Sequence, residues 1–225
     1  TVARGESQLV LCRSADDVRL ALAAGQVAAV LGIEGGHALE RGPSDEVLGR
    51  LSEFARRGVR YLGLLHFSDN ALGHPAYGWG HDHEKGLTPL GCEVVDACAR
   101  LGVLVDLAHI NHRGFFEVVA RKPGPLFVTH TGVLGVQRHW RNIDDEQIRA
   151  VADSGGVIGV IFAPRYLGQD GLEVARRLAV GGGHLRGLAP RLDHHVDRPV
   201  RQAQPAAVAE QGQPGLVHLK ARARR

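Results

Sequence analysis

The sequence predicts an α/β fold in which apolar strands alternate with amphipathic helices around a parallel sheet. Five apolar runs have the length of strands, and a helical pattern with start and stop signals precedes each of them. Of the 225 residues, 44% are hydrophobic, which suits one sizeable core. Strands that are apolar throughout are typical of parallel sheets, whose two faces are both covered. Five units of roughly 25 to 40 residues fit a (β/α) barrel better than an open sheet, although the pattern alone leaves both open.

The first unit shows how each element is assigned. Ser14 is followed three residues later by Asp17, which is an N-cap pattern, and apolar positions carry the predicted helix to Gly25. The apolar run 27–33 then has the length of a buried strand. The other helices are predicted to begin at Ser44, at Thr88 with Pro89, at Phe115 and at Asp144. The strands that follow them are predicted at 61–65, 103–108, 126–129 and 157–162.

Charge and composition exclude several classes of function. The formal net charge is +3, but residues 181–225 hold eight basic and three acidic residues, a net +5. The rest of the chain is therefore slightly acidic, and we expect no nucleic-acid partner. No apolar run approaches the roughly 20 residues of a membrane span. Three cysteines, Cys12, Cys92 and Cys98, form no CxxC pair, which favours reduced core thiols in a cytoplasmic protein.

Four polar side chains occupy the same place, directly after a predicted strand. Glu34 follows the run 27–33, and His66, His109 and His130 follow the next three strands. In a parallel βα fold the carboxyl ends of the strands lie at one rim, where active sites are built. A single histidine there is more often a hydrogen-bonded packing residue, and a single carboxylate can cap a helix. Because all four side chains occupy this same place relative to their strands, a common site is favoured over four independent roles.

The residue types at this rim are those that bind a divalent metal. Zinc takes imidazole nitrogen and carboxylate oxygen, and catalytic zinc sites use about three protein ligands. A metal would also balance the buried carboxylate of Glu34, because an unpaired ion in the interior is costly. His81-Asp-His83 offers another metal pair, but its place in the Gly-rich segment 70–86 favours solvent-exposed loop histidines.

A series of motifs follows in order along the chain. They are Ile33-Glu-Gly-Gly-His37, Gly58-Val-Arg-Tyr-Leu-Gly-Leu-Leu-His66, Gly86-Leu-Thr-Pro-Leu-Gly-Cys-Glu-Val-Val95, Leu104-Val-Asp-Leu-Ala-His109, Thr129-His130, Arg141-Asn142-Ile-Asp-Asp-Glu-Gln-Ile148 and Gly155-Gly-Val-Ile-Gly-Val-Ile-Phe162. Together they resemble the renal (membrane) dipeptidase family, the M19 metallopeptidases. The resemblance runs from about residue 9 to residue 165.

The resemblance implies a TIM-like barrel with two zinc ions at the carboxyl ends of its strands. It implies a small dipeptide as the substrate, whose peptide bond is hydrolysed by a metal-bridging hydroxide. Glu34 matches the carboxylate that bridges both metals, and His109 and His130 match the ligands of the second metal. His66 matches the residue that steadies the tetrahedral intermediate, and Arg141 matches the arginine that binds the substrate carboxylate. Family members often form dimers, so the resemblance also implies a homodimer.

The chain departs from the family pattern at both ends. Family members open with a strand that bears a His-x-Asp pair for the first metal, and no such strand precedes Glu34. They also carry a late Gly-Ser-Asp-Phe-Asp-Gly segment, which has no match here. We therefore expect an incomplete barrel of about five βα units that lacks the first and last strands. Residues 1–165 would form this partial barrel, 166–200 a weakly matching continuation and 201–225 a disordered basic tail.

Three functions remain open at this point. The leading hypothesis is a zinc-dependent dipeptidase. The missing motifs favour a second one, a non-catalytic remnant of the barrel that binds at most one metal. A third hypothesis keeps a metal-dependent amide hydrolase but gives it another small carboxylated substrate, such as a β-lactam.

Overall fold

The computed structural model describes residues 9–168, which form two parallel sheets with helices packed against them. The strands are β1 Leu9–Leu11, β2 Val27–Ala29, β3 Leu31–Glu34, β4 Val59–Gly63, β5 Leu104–Asp106, β6 Phe127–Thr131 and β7 Val157–Val160. The helices are α1 Ala15–Ala23, α2 Ser44–Arg57, α3 Pro89–Leu101, α4 His112–Arg121, α5 Asp145–Asp153 and α6 Pro164–Leu167. A short 3-10 helix spans Gly36–Leu39.

The order of the strands places their carboxyl ends at one edge. Strands β3 to β7 form a five-stranded parallel sheet in which each strand pairs with the next one along the chain. A doubly wound sheet reverses its order at a switch point, and the described strands show no reversal. This consecutive order is that of a barrel wall. The prediction of a parallel α/β fold is therefore confirmed.

The start of the described segment differs from the prediction in two respects. The run 27–33 is not one strand: β2 pairs with β1, whereas β3 pairs with β4. Strand β1 is absent from the prediction because three residues are too few to show a period. Strand β3 also extends one residue beyond the predicted end, so Glu34 is its last residue and does not follow it. His130 likewise lies within β6, one residue before its end.

Local capping signals account for most helix starts. The Ser14 side chain accepts a hydrogen bond from the Asp17 backbone at the start of α1, and Thr88 caps α3 in the same way. Ser44 is not a cap, in contrast to the prediction. It is the first residue of α2 and follows Pro43, which has no cap side chain. Helix α4 begins before Phe115 because Asn111 caps it.

The main core lies between the five-stranded sheet and helices α2 to α4. The fully buried side chains with the largest volumes include Phe115 of α4, Leu51 of α2 and Leu62 of β4. Among the described residues, no helix has the length and hydropathy needed to cross a bilayer. The predicted tail 201–225 lies outside the described residues, as does the predicted continuation 166–200 apart from its first three residues.

Candidate metal centre

Glu34, His109 and His130 bring three ligand atoms close together at the carboxyl edge of the sheet. Glu34 Oε1 lies 3.2 Å from His109 Nε2 and 3.3 Å from His130 Nε2, and the two nitrogens are 3.1 Å apart. Zinc–nitrogen bonds of about 2.0–2.1 Å in a tetrahedral arrangement would separate neighbouring ligand atoms by about 3.3 Å. The donor types and their spacing therefore fit one zinc ion. Within residues 9–168 this is the group that can hold a metal with three ligands.

His109 has an unusual backbone conformation. Its φ is +70°, which is uncommon for a residue other than glycine. Its carbonyl accepts a hydrogen bond of 2.7 Å from the Ala76 N–H, so the loop 70–86 is tied to the site at this point. The side chain is 3% exposed. Burial lowers the pKa of His109 to about 3 although the hydrogen bond to Glu34 raises it, so the ring is neutral.

His66 borders the three ligands without joining them. Its Nε2 is 3.8 Å from Glu34 Oε1, beyond hydrogen-bond distance. The ring centroid lies 4.6 Å from that of His109 and 4.6 Å from that of Phe67. With 39% of its side chain exposed, His66 is open to solvent at the rim. The structure thus brings His66 beside the group at a position where a small molecule can contact it.

Arg141 lies behind the two histidines and contacts both of them. Its Nε donates to His109 Nδ1 at 3.2 Å, and its Nη2 donates to the His130 carbonyl at 2.8 Å. Burial lowers the pKa of Arg141 to about 10, while the charge of Asp106 raises it, so the guanidinium stays charged at neutral pH. All five residues singled out from the sequence therefore lie together.

A cavity of about 590 Å³ adjoins the site. His109 and Arg141 line it, together with Tyr77, His83 and Trp140. The rings of His83 and Trp140 stack with their centroids 4.5 Å apart. Cavities that bind small molecules have about this volume. His83 thus lines a cavity wall, and within the described residues it is not among the three-ligand group.

Two polar residues beneath the ligands, the buried Asp106 and the half-buried Thr129, are not identified by the sequence pattern. Asp106 is 1% exposed and accepts a hydrogen bond of 2.6 Å from the hydroxyl of Thr129. Burial raises the pKa of Asp106, whereas hydrogen bonds from Thr129 and Ala108 and the charge of Arg141 lower it. An aspartate within an apolar strand run was the available signal for Asp106. Thr129 gave no signal, since threonine is ordinary in strands.

Asn111 is another buried residue that organises the site. Its Oδ1 accepts from the backbone of α4, while its Nδ2 donates to the carbonyls of Asp82 and Lys85 at 2.6 Å each. The residue that caps α4 therefore also fixes the far end of the loop 70–86. A cap residue is visible in a sequence, but its long-range partners are not.

Comparison with known proteins identifies a family whose model covers all of the site residues described above. The model of the membrane dipeptidase family, peptidase family M19, matches residues 1–208. The chain belongs to this family. The match extends past residue 165, where the resemblance read from the motifs ended. The family assignment made from the sequence is therefore confirmed.

Relatives of this M19 chain are longer than it is. It is 29% identical over 173 residues to an uncharacterised protein in the PQQ-III 3′ region of Acinetobacter calcoaceticus, covering 76% of this chain and 53% of that protein. It is 33% identical over 141 residues to an uncharacterised dipeptidase of Schizosaccharomyces pombe. That match covers 63% of this chain and 33% of the dipeptidase. The chain thus spans about half or less of the length of these relatives.

Solved structures of the family define the complete fold. A metallo peptidase from Rhodobacter sphaeroides, liganded with a phosphinate mimic of the dipeptide L-Ala-D-Ala, matches with a TM-score of 0.69 and 29% identity. The match covers 80% of this chain and 54% of that one. The M19 dipeptidases have a TIM-like barrel, and the described strands β3 to β7 form an arc of it that is not closed. The predicted fold class is confirmed.

Proposed function

We propose that this chain is a zinc-dependent dipeptidase, and that residues 1–165 form its partial barrel. The observation that carries the proposal is the convergence of Glu34 Oε1, His109 Nε2 and His130 Nε2 within 3.1–3.3 Å. One carboxylate with two imidazoles is a donor set that suits zinc. Membership of the M19 family and the similarity to a metallo peptidase liganded with a dipeptide mimic support the substrate class.

Three residues would hold the metal, and they correspond to the second of the two zinc sites in the family. Glu34 supplies a negative charge, and His130 supplies a neutral nitrogen donor. His109 would supply Nε2, which carries the ring proton while Nδ1 accepts from Arg141, so metal binding would displace that proton. When bound, zinc polarises a carbonyl oxygen and lowers the pKa of water to about 7. The ligands of the first metal in the family have no counterpart before Glu34.

His66 and Arg141 act on the substrate in this proposal. The exposed ring of His66 donates a hydrogen bond to the carbonyl oxygen of the peptide as that oxygen gains charge. Arg141 lines the cavity and keeps its charge at neutral pH, so it can hold the terminal carboxylate of a dipeptide. A carboxylate held close to the metal ligands favours dipeptides, because in longer chains that group lies farther from the bond to be cleaved.

The test assays the purified, folded whole chain with zinc and a panel of dipeptides. Glu34→Gln keeps the size of the side chain and removes its charge, so we expect hydrolysis to fall by about 100-fold or more and zinc to bind more weakly. Arg141→Ala should raise KM for dipeptides by about 10-fold or more. Arg149→Ala removes an exposed arginine on α5 and serves as the control, with kinetics close to those of the native chain.

The same assay separates the alternatives. A folded chain that binds zinc but hydrolyses no dipeptide is the result that overturns the proposal and leaves the non-catalytic remnant. Turnover of β-lactams or N-acyl amino acids without turnover of dipeptides assigns the third function. In that case Arg141→Ala would weaken the binding of only those substrates that carry a free carboxylate.

A further inference from the structure

A line of hydrogen bonds connects the buried side chain of Asp106 to the ring of His130. Asp106 Oδ2 lies 2.6 Å from Thr129 Oγ1, which lies 2.8 Å from His130 Nδ1. The other carboxylate oxygen, Oδ1, accepts from the backbone N–H groups of Ala108 at 3.0 Å and of Thr129 at 2.9 Å. The backbone register between β5 and β6 pairs only Asp106 with Phe127 among the described residues, and these side-chain bonds add to the backbone hydrogen bond from Leu107 to Phe127.

The chemistry of donors and acceptors sets the direction of this line. The two backbone N–H groups on Oδ1 and the charge of Arg141 favour the ionised form of Asp106. A carboxylate only accepts, so the Thr129 hydroxyl donates its one proton to Asp106 Oδ2. The hydroxyl oxygen can then only accept from His130, which places the ring proton on Nδ1. A neutral imidazole with its proton on Nδ1 carries a lone pair on Nε2. That atom is the one that faces Glu34 Oε1 and His109 Nε2.

We propose that Asp106 and Thr129 are positioning residues that hold His130 in the Nδ1–H tautomer and so keep Nε2 available as a metal ligand. This inference rests on the proposed function, because it concerns how one ligand is prepared. Histidines that bind metals commonly donate their other ring N–H to a carboxylate or a carbonyl, which fixes tautomer and orientation. Here a hydroxyl lies between the carboxylate and the ring and transmits the same constraint from β5 to β6.

The substitution Asp106→Asn tests the proposal because it keeps the shape of the side chain. It also reverses the donor and acceptor roles along the hydrogen bonds from residue 106 to His130. The amide oxygen can still accept the two backbone N–H groups, but the amide nitrogen donates to Thr129 Oγ1. The hydroxyl must then donate to His130 Nδ1, which moves the ring proton to Nε2. Thr129→Val removes the hydroxyl at nearly constant shape, and Thr129→Ser restores it. If Asp106→Asn does not fold, the two variants of Thr129 still test the proposal.

Two measurements on the whole chain read the outcome. Long-range ¹H–¹⁵N NMR spectra of the metal-free protein report the tautomer of His130. We expect Nδ1–H in the native chain and in Thr129→Ser, Nε2–H in Asp106→Asn, and a mixture in Thr129→Val. Zinc affinity, from competition with a chromophoric chelator, should fall about 10- to 100-fold in Asp106→Asn and Thr129→Val and stay native in Thr129→Ser.

Thr131→Val is the matched control, since it removes the other threonine hydroxyl of β6. The Thr131 hydroxyl contacts the carbonyls of Gly132 and Arg141, so its loss should leave the tautomer of His130 unchanged. A native His130 with its proton on Nε2, or an Asp106→Asn or Thr129→Val chain with the native tautomer and native zinc affinity, would overturn the proposal. If the tautomers follow the expectation but the native chain binds no zinc, the proposed function fails and the assignment of the tautomer stands.

Discussion

The thiol of Cys98 lies in the core between α3 and the sheet, where burial raises its pKa to about 12. At pH 8 only about one Cys98 side chain in ten thousand is then a thiolate, the form that reacts. Cys12 is also buried, whereas Cys92 is half-buried. We expect the native chain to react quickly with a disulfide reagent at Cys92 only, and at all three thiols after denaturation. Cys92→Ser should abolish the fast phase, and fast labelling of native Cys98 would contradict this account.

At the level of single residues, the sequence pattern predicted the polar groups near the strand ends but not the groups that support them. Glu34, His109 and His130 could be located because a strand end is a local pattern. Asp106 and Thr129 could not be connected, because their hydrogen bond joins residues 23 positions apart and depends on the register of β5 against β6. A buried polar residue shows that a partner exists without showing which one it is.

Two helical glycines show how packing sets the sign of one substitution at the level of elements. Gly49 of α2 is exposed, and a Cβ added there meets nothing within 4 Å. Gly91 of α3 is buried, and a Cβ there would lie 2.0 Å from the Leu72 carbonyl oxygen. Gly49→Ala should therefore raise the free energy of unfolding by about 0.5–1 kcal/mol. Gly91→Ala should lower it by about 1–3 kcal/mol or more, because backbone must move.

Urea unfolding followed by circular dichroism measures both variants against the native chain. Equal effects of the two substitutions would show that helix propensity decides both positions. The sequence gives no means of telling these two glycines apart, since both lie inside helical patterns. The same limit explains the strand run 27–33, which is divided between two sheets: a pattern of apolar residues records burial and not the partner strand.

At the scale of the whole molecule, the site combines parts of the chain that are far apart in the sequence. Glu34 and His109 are 75 positions apart, and they meet because parallel strands direct their carboxyl ends to one edge. This is why the fold class could be predicted from alternating elements, and why the convergence of these side chains could be predicted with it. The closure of the barrel could not be predicted from five units, because it depends on strands beyond the described arc.

A metal held by residues of β3, β6 and the segment after β5 should stabilise the whole described fold. A ligand that binds the folded chain at 100 times its dissociation constant adds about 2.7 kcal/mol to the free energy of unfolding, which for a chain of this size raises Tm by roughly 5–10 °C. We expect zinc to produce such a shift in the native chain and a chelator to reverse it. His130→Ala should lose most of the shift, measured with and without zinc for each variant so that any intrinsic loss of stability cancels. His81→Ala, which removes an exposed loop histidine, should keep it. A full zinc shift in His130→Ala would place the metal elsewhere.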